Sequence, residues 1–155
     1  KMRKIAVLSD THDLLRPEVL ERIRTCDGLI HGGDINSQRV IDEILNNMKP
    51  RAPVYFVRGN NDGEWANYLA KHQAFTLEGV NFYLVHNKRD VPWNLGDRQI
   101  VIYGHSHKYA EEEKDGRLWL NPGSCGRCRF YPEITMALLY LDDGKWSVER
   151  VDLLK

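Results

Sequence analysis

The residues of this chain that can do chemistry follow short strand-like runs. The run 5–8 leads to Asp10 and His12, 29–30 to Asp34, 54–57 to Asn60, 80–85 to His86, and 100–103 to His105 and His107. Each run is apolar or β-branched enough to be a buried strand. Five strands therefore deliver polar side chains just beyond their C-terminal ends, the edge at which open α/β sheets bind ligands. Asp10/His12 and His105/His107 are i, i+2 pairs, and in extended backbone each pair points to one side. Gly33, Gly59 and Gly104 immediately precede Asp34, Asn60 and His105, where tight turns let side chains crowd round a small object.

The set contains two carboxylates, four imidazoles and one amide, with no thiolate. Such nitrogen and oxygen donors suit Mn, Fe, Co, Ni or Zn better than Cu(I) or an iron–sulfur cluster. Seven donors exceed what one tetrahedral zinc needs. If one carboxylate bridges, they divide into two groups of four, enough for two ions about 3.5 to 4 Å apart, the arrangement that grips the attacking and leaving oxygens in phosphoryl transfer.

The elements that position these residues read as one α/β domain over 1–155, with Lys1, ahead of an initiator-like Met2, left out of the fold. At this length folding removes about 70% of the chain's accessible surface, so a core can form without a structural metal. In the first half, strand-like runs alternate with helical patterns, which argues for βαβ units and a largely parallel sheet. One helix follows Pro17 with Val19, Leu20 and Ile23; a second, capped by Asn36 or Ser37, presents Val40, Ile41, Ile44, Leu45 and Met48 and ends by Pro50. The second half predicts three hairpins, turning at Glu78-Gly79, Asp115-Gly116 and Asp143-Gly144. Helices early and hairpins late predict two sheets sharing a core.

Composition narrows the function. Lys+Arg and Asp+Glu both number 22, so the chain lacks the electrostatic footprint of a nonspecific nucleic-acid or membrane binder. The longest apolar run, 136–141, is too short to span a membrane, and the N-terminus lacks a signal-peptide core, so the cytoplasm is the expected location. Three cysteines do not suggest a secreted disulfide framework, and Cys125-x-x-Cys128 without a second pair is not read as a metal or redox site.

Taken in order, Ser9-Asp10-Thr11-His12, Gly33-Asp34, Gly59-Asn60-Asn61-Asp62, His86 and Gly104-His105-Ser106-His107 resemble the successive motifs of the calcineurin-like metallophosphoesterases. The short length and Asn121-Pro122-Gly123-Ser124 resemble the small bacterial and archaeal phosphodiesterase branch, which includes the eukaryotic retromer subunit of the same fold. The resemblance implies a four-layer α/β/β/α fold, a two-sheet sandwich flanked by helices. It implies that Asp10, His12, Asp34 and His107 hold one divalent transition-metal ion and that Asp34, Asn60, His86 and His105 hold the other, with Asp34 bridging and manganese the first choice of metal. A water shared by two cations becomes acidic near neutrality and supplies a hydroxide nucleophile without a side-chain base.

Asn61 stands where many relatives place a His thought to help the leaving group, and an amide cannot donate a proton of useful acidity. The implied function is hydrolysis of a small or activated phosphodiester; the alternatives are a phosphomonoesterase or a non-catalytic protein-binding scaffold. Nucleic acid is not the expected substrate, and self-association stays open. Asn61 would lie beside the scissile phosphate, Arg58, Arg127 and Arg129 are candidates to touch it, and His31 is a candidate to orient a ligand from behind. Blander readings go to Asp62, which fixes its loop, to His72, a surface residue, and to Trp65, Trp93, Trp119 and Trp146, core or interface residues.

Overall fold

The computed structural model describes residues 2–128 and 131–154. Strands β1 (Arg3–Leu8), β2 (Gly28–His31) and β3 (Val54–Phe56) run parallel and are joined by helices α1 (Pro17–Ile23) and α2 (Gln38–Asn47). The chain then crosses to a second sheet made of β4 (His72–Leu77), β5 (Val80–Val85), β6 (Ile100–Ile102), β7 (Ala110–Lys114) and β8 (Arg117–Asn121). Strands β9 (Thr135–Asp142) and β10 (Lys145–Asp152) return to the first sheet, where β9 pairs antiparallel with β1. The sheet orders are β10-β9-β1-β2-β3 and β4-β5-β6-β8-β7. The first sheet is therefore mixed, with its parallel half formed by the βαβ segment.

All three hairpins turn where the sequence predicts. Glu78-Gly79, Asp115-Gly116 and Asp143-Gly144 each place both central residues at positive φ, between 46° and 82°. That geometry matches the twist of the strands it joins, and Gly adopts it without the Cβ penalty.

Side-chain alternation builds two apolar layers. Ala6 and Leu8 face α1 and α2, joining Val19, Ile23, Val40 and Ile44. Ile5 and Val7 face the second sheet, joining Phe82, Leu84, Ile100, Leu118 and Leu139. Being covered on both faces is why the end of β1 reads as an unbroken apolar run. Tyr55 of β3 stacks on Phe75 of β4 with centroids 3.7 Å apart and so ties the edges of the two sheets together. On the outer face of the second sheet, the helical layer of the four-layer architecture is reduced, among the described residues, to a 3-10 turn over Lys88–Asp90. Lys88 lies over the rings of Tyr103 and Trp119 there.

Three expectations need correction. Leu45 does not belong to the buried face of α2, being 48% exposed, because it lies one residue past Ile44 and about 100° further round the helix. Ser37 occupies the N-cap but makes no capping bond; its hydroxyl is turned to Asp13, donating to Oδ1 at 2.7 Å. Of the two readings for Trp93, core or interface, the core is excluded, since 95% of its surface is exposed in the loop before β6.

These placements separate adjacent residues of α2 energetically. Ile44→Ala should lower the unfolding free energy by about 2–5 kcal/mol through lost burial and a cavity. Leu45→Ala should change it by less than about 1 kcal/mol. Urea unfolding of the two variants checks the difference, and similar losses would contradict the assigned face.

Candidate metal centre

The loops that leave β1 and β2 are zipped together by backbone hydrogen bonds. The amides of Asp10, His12 and Asp13 donate to the carbonyls of Gly33, Asp34 and Ile35 at 2.9, 3.0 and 3.0 Å. Such spacing requires the chain to turn at each step. Asp10, His12, Asp34, His105 and His107 accordingly have φ of 56°, 45°, 57°, 74° and 65°. The extended backbone expected for the i, i+2 pairs is thus replaced by left-handed residues, each costing roughly 1–2 kcal/mol in an L-amino acid. Asp10 and His12 still converge, whereas His105 and His107 part and serve different clusters.

In the first cluster, donor atoms of Asp10, His12, Asp34 and His107 lie within 4.8 Å of one another, and all four residues are buried. Asp10 divides its oxygens. Oδ2 accepts from the Ser9 hydroxyl at 2.8 Å and the His105 amide at 3.1 Å. Oδ1 is buried without a hydrogen bond, 3.4 Å from His107 Nε2 and 3.6 Å from His12 Nε2. The nitrogens His12 Nε2 and His107 Nε2 face each other at 3.1 Å. A bare carboxylate oxygen with two imidazole nitrogens around it is a donor set that fits a divalent transition-metal ion.

The second cluster contains Asp34, His86 and His105, again with donor atoms within 4.8 Å. His86 Nδ1 donates to the Gly32 carbonyl at 2.7 Å, which leaves Nε2 as the lone-pair atom of the neutral ring. That atom lies 3.2 Å from Asp34 Oδ2 yet makes no hydrogen bond. The same oxygen is 3.5 Å from His12 Nε2, so Asp34 stands between the two clusters. Asn60 joins through Oδ1, 3.1 Å from His105 Nδ1.

Electrostatics without the ion follow the same layout. Burial would raise the Asp10 pKa, but the imidazoles of His107 and His12 beside its carboxylate hold it below the usual carboxylate range. Burial acts likewise on Asp34 and is outweighed by His86, which keeps this carboxylate ionised. For His86, burial would lower the pKa, yet Asp34 and Asp10 raise it. The clustered side chains thus sustain two negative charges out of water and attract positive charge to one place.

Side chains away from the clusters hold the loops in position. Asp62 accepts from the amides of Asn36, Ile35 and Gly59 at 2.8, 3.3 and 2.9 Å, so one carboxylate fixes the loops after β2 and β3, in line with its sequence reading. Asn121 donates to the Gly104 carbonyl and to Ser106 Oγ at 3.1 and 3.0 Å. Ser124 donates to the Asp10 carbonyl at 3.1 Å. In the sequence Asn121 and Ser124 are only a mark of likeness; their work as clamps has no local signal. Ser9, whose hydroxyl donates to Asp10 Oδ2, likewise has a role that its motif alone does not reveal.

The structure places the remaining candidates as follows. Among the described residues His31 makes no hydrogen bond to a candidate ligand side chain: its Nδ1 accepts from the Gly33 amide at 3.0 Å and its Nε2 meets Thr11 Oγ1 at 3.2 Å. Burial pushes its pKa down to about 3, so it is a neutral link between the Gly33 amide and the Thr11 hydroxyl. Asn61 bonds the carboxylate of Asp34, through its amide N–H at 2.9 Å and Nδ2 at 3.1 Å. Arg127 donates through Nε to the His12 carbonyl at 2.9 Å, and Arg129 lies outside the described residues. Arg58 lines a cavity of about 420 Å³ that reaches Asn60 and His86, and so does His72, which is exposed as the sequence suggests. Cys125 is buried, its thiol pushed up to about 12 by burial, while Cys128 is exposed; both are free.

Residues 3–144 match the calcineurin-like phosphoesterase superfamily domain. The chain belongs to that superfamily. Calcineurin-like phosphoesterases are metal-dependent, and the buried Asp10, His12, Asp34 and His107 give this member a candidate site for the metal. The chain is 32% identical over 143 residues to a phosphodiesterase of Methanocaldococcus jannaschii, covering 79% of this chain and 84% of that one. A probable metallophosphoesterase of Mycoplasma pneumoniae is 32% identical over 140 residues, covering 79% of each. The solved structure of an archaeal phosphodiesterase superposes with a TM-score of 0.74 at 29% identity, over 96% of this chain and 99% of that one. Vps29 of Entamoeba histolytica shares the fold, with a TM-score of 0.75 at 24% identity, covering 96% and 98%. No helix among the described residues of this phosphoesterase is long and apolar enough to cross a membrane.

Gly104 tests how tightly the centre is built. A Cβ there would meet Ser9 Oγ and come 2.7 Å from Asp10 Oδ2, so Gly104→Ala must displace the Asp10 carboxylate. The variant should lose metal affinity by tenfold or more. Gly63, where a Cβ meets nothing within 4 Å, supplies the control substitution Gly63→Ala, which should bind metal as the parent does. Titration of both with Mn²⁺ by calorimetry gives the comparison.

Proposed function

We propose that this phosphoesterase is a two-metal phosphodiesterase acting on a small or activated phosphodiester. The observation that carries the reading is Asp34 Oδ2, placed within 3.5 Å of His12 Nε2 from one cluster and His86 Nε2 from the other. Asp10, His12, Asp34 and His107 would hold one ion; Asp34, Asn60, His86 and His105 would hold its neighbour. When bound, the ions, with manganese our first choice, supply positive charge for the phosphoryl oxygens and acidify water. The chain's own contribution is to fix seven donors, keep the Asp34 carboxylate ionised and leave the mouth of the site polar. His105, Asn60 and Asn61 are the exposed members at that mouth, positioned to meet an incoming ester.

Support for a diester over a monoester comes from Asn61 and from the likeness to an archaeal phosphodiesterase. The Asn61 side chain is a neutral amide already engaged by Asp34 and cannot protonate a poor leaving group. Diesters with good leaving groups need no such proton. Asn61→His should therefore raise monoester hydrolysis relative to diester hydrolysis with metal content unchanged, read as the ratio of the two kcat/KM values at matched pH. Wild-type preference for monoesters would overturn the assignment.

Stoichiometry provides a second check. Elemental analysis after loading with Mn²⁺ should approach two ions per chain. Asp34→Asn should reduce occupancy of both sites, and Asn60→Ala should mainly disturb one. Equal, mild effects from the two variants would contradict a shared Asp34.

A further inference from the structure

Beside the second cluster lies the cavity of about 420 Å³, large enough for more than a phosphate. Its position follows from strand register. β4 pairs antiparallel with β5 so that His72 is opposite Val85, which brings Lys71 to the level of His86. Arg58 reaches the same place from the end of β3, because its amide donates to the Ala70 carbonyl at 2.9 Å. Arg58, Lys71, His72 and Asp90 line the cavity together with His86 and Asn60.

The charges of this lining are unbalanced. Arg3, Arg39, Lys49 and Arg150 each pair with a carboxylate within 4.0 Å. Arg58 and Lys71 have no such partner among the described residues; the Arg58 guanidinium is steadied by a neutral contact, from Nη1 to Asn67 Oδ1 at 2.9 Å. Two unpaired cations thus face a concave site whose only lining carboxylate is Asp90. The ring of His72 lines the same cavity and stacks on Tyr83 with centroids 5.9 Å apart.

We propose that this cavity receives one substituent of the phosphodiester and that Arg58 and Lys71 select a substituent carrying a second anionic group, a carboxylate or a phosphate. The inference rests on the phosphodiesterase reading and extends it to a substrate class. A cation reaching from a concave wall recognises a nearby anion by charge and hydrogen bonding, and a choline-like substituent is repelled by the same groups.

The test uses the Mn²⁺-loaded chain and p-nitrophenyl phosphodiesters that share one leaving group and differ in the second substituent: 3-carboxypropyl, 3-phosphopropyl, butyl and choline. Either anionic ester should exceed the butyl ester in kcat/KM by about tenfold, with choline lowest. The better of the two anions identifies the source. Lys71→Glu should remove or reverse the order, and Arg58→Gln should weaken it. Equal rates for all four esters, or an order unchanged in both variants, would overturn the inference. Affinities for the unreactive 3-carboxypropyl and butyl methylphosphonates, measured by calorimetry, give the same comparison without turnover. If no diester is hydrolysed but a monoester is, the phosphodiesterase reading fails. The methylphosphonate ratio then decides the cavity separately: tighter binding of the carboxylate supports the anion site, and equal binding overturns it.

Discussion

Asp10 and Asp34 are two carboxylates buried side by side, and the rest of the molecule is arranged around making that tolerable. An ion taken out of water costs several kcal/mol unless opposite charge or hydrogen bonds replace the solvent. Here backbone and hydroxyl donors satisfy one oxygen of Asp10, while the other is left among imidazole nitrogens. The imbalance is directional: it concentrates negative potential where four histidines converge. Left-handed backbone at five of the donors is the local cost of that convergence, since strands alone would carry the side chains past one another.

The scaffold sustains this arrangement through loops tied to loops. β1, β2, β3, β5 and β6 end at one edge, and their following turns are short enough to share hydrogen bonds. Asp62 spans the loops after β2 and β3, Asn121 holds the loop after β6, and Ser124 returns to the carbonyl of Asp10. Asp62, Asn121 and Ser124 lie outside the two apolar layers, and the core and the centre meet at the strand ends. Gly59 and Gly104 mark that meeting, where a Cβ would enter the carboxylate of Asp34 or Asp10.

Much of this was legible in the residues alone. Apolar runs followed by Asp, His or Asn revealed the strands, their polarity and the side chains that gather at the candidate centre, and Asp-Gly or Glu-Gly pairs located the hairpins. Less legible was anything set by contacts remote in sequence. The alternation rule assumes extended backbone, so it could not show that His105 and His107 serve different clusters. His31 looked like a helper of a ligand because its residue type is shared with the ligands; only its partners, Gly33 and Thr11, show a connector. Lys71 and His72 carried no motif, and their place beside His86 comes from the β4–β5 register. Trp93 shows the converse limit, since an aromatic residue is not by itself a buried one.

The return of β9 to the first sheet governs the order in which the molecule can be completed. β1 lies between β2 and β9, with Val7 opposite Ala137 and Ile5 opposite Leu139. A chain emerging from the ribosome can form the parallel β1–β2 unit early, yet β1 keeps an open edge until more than a hundred further residues are made. Closing so long a loop is slow compared with forming local structure. Asp10 and His12 sit at the end of that waiting strand, and the Ser124 hydroxyl reaches the Asp10 carbonyl from just after β8. Nascent chains that stop short of β9 therefore expose an apolar, unpaired edge, the kind of surface that chaperones cover and that neighbouring chains can join.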